Sequence, residues 1–124
     1  MDGKIGLVML VVKDLNRSVA FYRDVIGMKV KFQAPEWATL DAGGVELGLH
    51  PESEHLHVKP SESFGFGFYV NDIERVHQEL KNKNVHFILP PKEENFGWLA
   101  LFSDPDGYHI QLCQLAAQSS KSVA

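Results

Sequence analysis

Phe102-Ser103-Asp104-Pro105-Asp106-Gly107-Tyr108-His109-Ile110-Gln111-Leu112 is the stretch on which the reading of this chain turns. Pro105 fixes its own φ for the first corner of a turn, and Gly107 can take the positive φ that closes it. The carboxylates of Asp104 and Asp106 can accept hydrogen bonds from nearby backbone N–H groups. Runs of β character, Trp98 to Phe102 and Tyr108 to Leu115, flank the turn, so the spacing predicts a hairpin. In the second strand Ile110 and Leu112 point to one face, and His109, Gln111 and Cys113 to the other. One face suits a core. The other carries polar groups that can meet a ligand.

Outward from the hairpin, the same small unit appears twice. Lys4 to Val12 reads as a strand apolar enough to be covered on both faces. A helix follows, with Asp14 or Asn16 as cap, Leu15, Val19, Tyr22 and Ile26 at helical spacing, and Gly27 as terminator. Three strands come next: Met28 to Gln33, Trp37 to Leu40 and Val45 to His50. In the last of these Glu46, Gly48 and His50 share a face. Polar residues 51–63 read as a linker. The second unit opens on the strand Phe64 to Val70, with Phe64, Phe66 and Phe68 on one face and Gly65, Gly67 and Tyr69 on the other. A helix from Asp72 to Asn82 carries Ile73, Val76 and Leu80 as its apolar stripe, and Asn84 closes it. Val85 to Leu89 is a strand that Pro90-Pro91 stops, and the hairpin completes the unit. Val12-Lys13-Asp14-Leu15 matches Val70-Asn71-Asp72-Ile73 in letters. The order is therefore βαβββ twice, an α+β fold. Repeat one runs over 4–50, the linker over 51–63 and repeat two over 64–115. A frayed tail spans 116–124, and all of it is read as a single domain.

The 124 residues suffice for one ordinary domain. A net charge of −4 argues against nucleic acid or an anionic membrane as partner and suits a cationic guest. One cysteine, Cys113, permits no internal disulfide. The apolar run near the start is too short to span a bilayer, so a cytoplasmic location is expected.

Val12-Lys13-Asp14-Leu15, then Ser18, Phe21-Tyr22 and Val25-Ile26-Gly27-Met28, with the closing Asp104-Pro105-Asp106-Gly107 and Ile110-Gln111-Leu112, resemble the vicinal oxygen chelate superfamily. That group holds glyoxalase I, bleomycin-resistance proteins, extradiol dioxygenases, methylmalonyl-CoA epimerase and fosfomycin-resistance enzymes. The resemblance covers about Ile5 to Leu115. It implies curved mixed sheets around a concave ligand cavity, with helices on the convex side. Its metalloenzymes bind one divalent ion through a residue from each of four strands. By position, those four residues are Leu7, Glu46, Gly65 and Gln111 here. Leu7 and Gly65 supply no ligand atom, and a catalytic divalent site needs about three N/O ligands.

Glu46 can be a metal ligand, a carboxylate for a cationic or hydrogen-bonding guest, or a half-exposed strand residue. His50, four residues on, can join it as an acid–base pair or simply end a strand in solvent. Gln111 keeps the size and hydrogen bonds of the expected Glu without its charge, and His109 precedes it on the same face. Tyr69, Trp37 and Trp98 can stack a planar ligand or serve as core; Trp98, beside Gly97 and just before the hairpin, is the foremost of them. His55 and His57 read as loop residues, and Cys113 as a small buried hydrophobe.

Three functions compete. The first is a metal-free module, without cofactor, that sequesters or senses a planar or cationic organic ligand through Glu46, His50, Gln111, Trp98, Tyr69, Trp37 and His109. The second is a divalent-metal-dependent lyase, isomerase or dioxygenase built on Glu46 and Gln111. The third is a scaffold whose cavity is filled by side chains, against which Gly48, Gly65 and Gly67 count because they leave room. Sheet edges that need covering imply a homodimer.

Overall fold

A computed structural model describes residues 1–116; the expected frayed tail lies outside the described residues except for Ala116. The chain divides after Lys59 into two compact units, each with four strands and one helical segment.

The first unit runs β1 (Leu7–Val12), α1 (Leu15–Ala20) with a π-helical continuation (Phe21–Ile26), β2 (Lys29–Ala34), β3 (Trp37–Asp41) and β4 (Glu46–Pro51). The second runs β5 (Phe66–Tyr69), α2 (Ile73–Asn82), β6 (Phe87–Glu94), β7 (Gly97–Ser103) and β8 (His109–Leu115). Both sheets have the same topology, β1-β4-β3-β2 and β5-β8-β7-β6. In each, the first and last strands are parallel and the other pairs antiparallel. This is the twofold βαβββ order expected from the sequence.

The helix starts follow from their caps. Asp14 accepts a hydrogen bond from the Arg17 N–H at 3.1 Å, and Asp72 accepts one from the Arg75 N–H at 3.2 Å. Asn16, the alternative cap, instead accepts from the Gln33 side chain. At the other end the chain widens into π geometry. The Gly27 and Met28 N–H groups both donate to the Tyr22 carbonyl, and Gly27 takes φ 97°. Asn84 closes α2 at φ 66°. Leu15, Val19 and Tyr22 are buried, as their spacing predicts, and Ser18 joins them. Leu10, Val12, Leu40, Leu47 and Leu49 complete the core of the first unit. Ile73, Leu80, Ala100, Phe102, Ile110 and Leu112 form that of the second. His77 is buried edge-on to Phe87, the ring centroids 4.5 Å apart.

The opening turn is held by one side chain. Asp104 is buried, and its Oδ1 accepts from the N–H groups of both Asp106 and Tyr108 at 2.9 Å. Its carbonyl accepts from the Gly107 N–H at 3.0 Å, with Gly107 at φ 91°.

Three expectations are corrected. β1 begins at Leu7 rather than Lys4 and is not covered on both faces: Leu7 and Met9 remain exposed while Leu10 and Val12 are buried. Continuous apolarity marks burial only when both faces find neighbours. Second, Pro90-Pro91 does not stop β6, which runs to Glu94. β6 is an edge strand, where a missing N–H need break no ladder bond, and its register shifts between Leu89 and Lys92 absorb the irregularity. Third, β5 begins at Phe66, so Phe64 lies before the strand and the alternation expected of it does not apply.

Candidate functional site

Strand pairing sets which side chains share a face. Across the first sheet, Leu7 pairs with Glu46, Glu46 with Asp41, and Asp41 with Lys29, so these four form one row. The next row on that face is Met9, Gly48, Thr39 and Phe32. This is the face turned away from the buried Leu10, Leu47, Leu49 and Leu40. Its exposed apolar members are Leu7 (49%), Met9 (42%) and Phe32 (55%).

Gly48 does not leave room here. A Cβ at that position would stand 2.4 Å from the Trp37 ring and 3.1 Å from Leu7. The indole and the Leu7 side chain thus converge on the bare backbone of Gly48, and the glycine is the seat for Trp37. His50 lies beyond, its ring centroid 6.1 Å from that of Trp37. Its Nδ1 is 2.6 Å from the Pro51 carbonyl oxygen. A carbonyl only accepts, so Nδ1 is the donor of this bond. Glu46 and His50 stand four strand residues apart, about 13 Å at the usual rise. They do not form the direct acid–base pair that their shared face allowed.

Glu46 has a different partner. Its Oε2 accepts from the Lys31 ammonium at 2.7 Å. The Glu46 carboxylate holds that ammonium above the ordinary lysine range, first through the hydrogen bond and then through its charge, with Asp41 adding a smaller push the same way. Lys31 and Phe32 were missed by sequence reasoning. β2 alternates Lys29, Val30, Lys31, Phe32, which assigns Phe32 to the core beside Val30. A bulge between Val30 and Phe32 breaks that alternation: Val30 opposes Leu40, and Phe32 opposes Thr39. No residue of the pattern announces the extra register step.

The second unit has its own polar face. Gln111 pairs with Gly67 and Leu101, and Cys113 with Tyr69 and Leu99. A cleft of about 290 Å³ opens at one end of that face. Gly65, His109, Gln111 and Leu101 line it, together with Glu62 and Phe64 from the segment before β5. The structure therefore brings His109 and Gln111 together. Glu62 was hidden in what reads as linker. Gly67 is also closed rather than open, because a Cβ there would fall 2.9 Å from both the Cβ and the carbonyl oxygen of Gln111. Tyr69 shares the face and is 79% exposed. Trp98 does not share it. It pairs with Gln114, whose side chain accepts from the Ile73 N–H at the start of α2 at 2.7 Å. One residue of strand parity puts Trp98 on the helix side, away from Gln111. Cys113 is partly buried, and burial raises its thiol pKa.

The four positions at which the resemblance implies metal ligands can now be tested singly. Leu7 directly opposes Glu46 and offers no donor atom. Gly65 lines the cleft with no side chain. Gln111 is a neutral amide, and Glu46 is already paired with an ammonium. Among the described residues no group of three or more His, Cys, Asp or Glu is placed to hold a metal ion. The residues present do not fit a divalent ion. His55 and His57 are both exposed in the segment after β4. No described helix is long and apolar enough to cross a membrane.

Comparisons with known proteins agree with the fold. The profile of the Glyoxalase/Bleomycin resistance protein/Dioxygenase superfamily matches residues 4–112. The uncharacterized protein YurT of Bacillus subtilis (strain 168) is 31% identical over 90% of this chain and 98% of its own length. Glutathione transferase FosA of Serratia marcescens is 28% identical over 83% of this chain and 74% of its own length. Among solved structures, TnmS3, an antibiotic binding protein from Streptomyces sp. CB03234, superposes with a TM-score of 0.78 at 23% identity, covering 92% of this chain and 97% of that one. That likeness shows the fold. With its motifs, repeated βαβββ topology and profile match in agreement, the chain belongs to the Glyoxalase/Bleomycin resistance protein/Dioxygenase superfamily, the vicinal oxygen chelate group.

Proposed function

We propose that this protein binds a small planar organic molecule without a divalent metal, sequestering or sensing it rather than transforming it. The observation that carries this reading is Leu7 standing directly opposite Glu46, a hydrocarbon where a metal centre needs a second donor. What the first sheet offers instead is an exposed apolar surface around an indole, with polar groups at its margins. Such a surface suits a flat guest that gains by leaving water and is oriented by a few hydrogen bonds. On the first unit Trp37 and His50 are assigned to binding, with Glu46 at the margin of the face; the second unit carries a candidate set of its own, Tyr69, His109 and Gln111. Trp98 is withdrawn from the set because it faces the helix. The antibiotic-binding relative lends support, since the same fold there serves binding.

Protein purified without chelator should carry far less than one equivalent of divalent metal by mass spectrometric metal analysis. Titration with flat aromatic compounds should quench tryptophan emission in the wild type and in Trp98→Leu, but not in Trp37→Leu. One equivalent of metal that disappears in Glu46→Ala would overturn the reading in favour of a metalloenzyme with an altered site.

A further inference from the structure

The bulge in β2 inserts Lys31 between Val30, which opposes Leu40, and Phe32, which opposes Thr39. Phe32 thereby joins the exposed face of Thr39, and Lys31 reaches Glu46 on that same face, although strand alternation alone would separate the two. The result is an ammonium beside an exposed ring, next to the floor made by Leu7, Met9 and the Trp37 indole over Gly48. Both carboxylates of the adjoining row are already engaged. Glu46 accepts from Lys31, and the Oδ1 of Asp41 accepts from the Gly43 N–H at 2.8 Å. Lys29 stands opposite Asp41 in the same row, so two ammonium groups match two carboxylates. A cationic guest would have to displace Lys31 to reach Glu46. An anionic oxygen would find an ammonium that has spent one of its three donors on Glu46.

We propose that Lys31 is the polar anchor of the guest, so that the face takes a planar aromatic molecule bearing an acidic oxygen (carboxylate, phenolate or enolate) and rejects the corresponding cation. This deepens the metal-free binding reading and rests on it. It also reverses the inference from net charge: the −4 of the whole chain says nothing about a patch whose charges cancel locally. Glu46 is then a positioning residue, holding the ammonium over the face.

The test uses two probes with one ring system, 2-naphthoate and 2-naphthylmethylammonium, titrated at low salt into the full chain and followed by calorimetry. The wild type should bind naphthoate and bind the ammonium probe at least about tenfold more weakly, the worth of one charge-assisted hydrogen bond. Lys31→Met should lose naphthoate affinity by about tenfold or more and gain affinity for the ammonium probe, because Glu46 is freed. Lys31→Arg should retain the wild-type preference. Lys31 is solvent-exposed, and circular dichroism verifies that each variant is folded. Equal or tighter binding of the ammonium probe by the wild type overturns the anchor while leaving the binding reading standing. Unchanged naphthoate affinity in Lys31→Met does the same. Failure of both probes on the wild type overturns both. So does Phe32→Glu converting a dimer to a monomer with no probe bound, since a second copy would then cover the face.

Discussion

At the scale of single residues, environment decides what each group can do. Cys113 shares a face with Gln111 but sits partly buried, and burial alone raises its pKa above the ordinary thiol value of 9.0. Its reaction with iodoacetamide should therefore rise with pH along a curve displaced upward from that of the urea-unfolded chain; coincident curves would contradict this. The sign carries over to stability. The unfolded thiol releases its proton first, so the contribution of Cys113 falls as pH climbs past the ordinary thiol value. Identity and parity were legible in the sequence at Ile110, Gln111 and Leu112, whose faces match the alternation. Partnership was not. Nothing in the letters joins Lys31 to Glu46, fifteen residues away, because the link depends on an extra register step in β2. The role of Gly48 is equally invisible in the letters. The lack of a side chain suggests empty space, whereas here it admits the Trp37 ring.

At the scale of elements, the hairpin between β7 and β8 depends on Asp104. Its carboxylate satisfies two N–H groups inside the turn while being almost wholly buried. Asp104→Ala orphans both donors, and a loss of about 2 kcal/mol or more is expected in urea unfolding. Asp104→Asn keeps an acceptor oxygen of the same reach and should lose about half as much. Equal losses in the two variants would assign the effect to charge rather than to the turn geometry. The Gly27 stop and the Asn84 closure were readable, and Asp14 was one of two candidate caps, since such signals are local to the backbone they end; that Asp72 caps α2 rather than opening it was not. The continuation of β6 through Pro90-Pro91 was not. Whether proline breaks a strand depends on which side of the strand needs hydrogen bonds, and that is a property of the sheet.

At the scale of the whole molecule, the two units repeat one topology but not one surface. The repeat was legible because an offset copy of Val12-Lys13-Asp14-Leu15 needs no three-dimensional knowledge. β1 and β2, and β5 and β6, are the terminal strands of the two sheets, and we propose a homodimer. Light scattering behind gel filtration at micromolar concentration should report twice the chain mass of 13.9 kDa; a monomer would refute it. Pro90 and Pro91 bear on how such a pair could form. Neither residue has an N–H to offer a neighbouring strand, and Lys92, Glu93 and Glu94 follow them with charge. The outer margin of the second sheet is thus a poor template for strand addition. The bulge and the following Pro35 spoil the β2 margin of the first. Edge joining at β2 and β6 is thereby disfavoured. Each sheet therefore carries one blunt margin, and a chain built this way resists propagation into a fibre along those two edges.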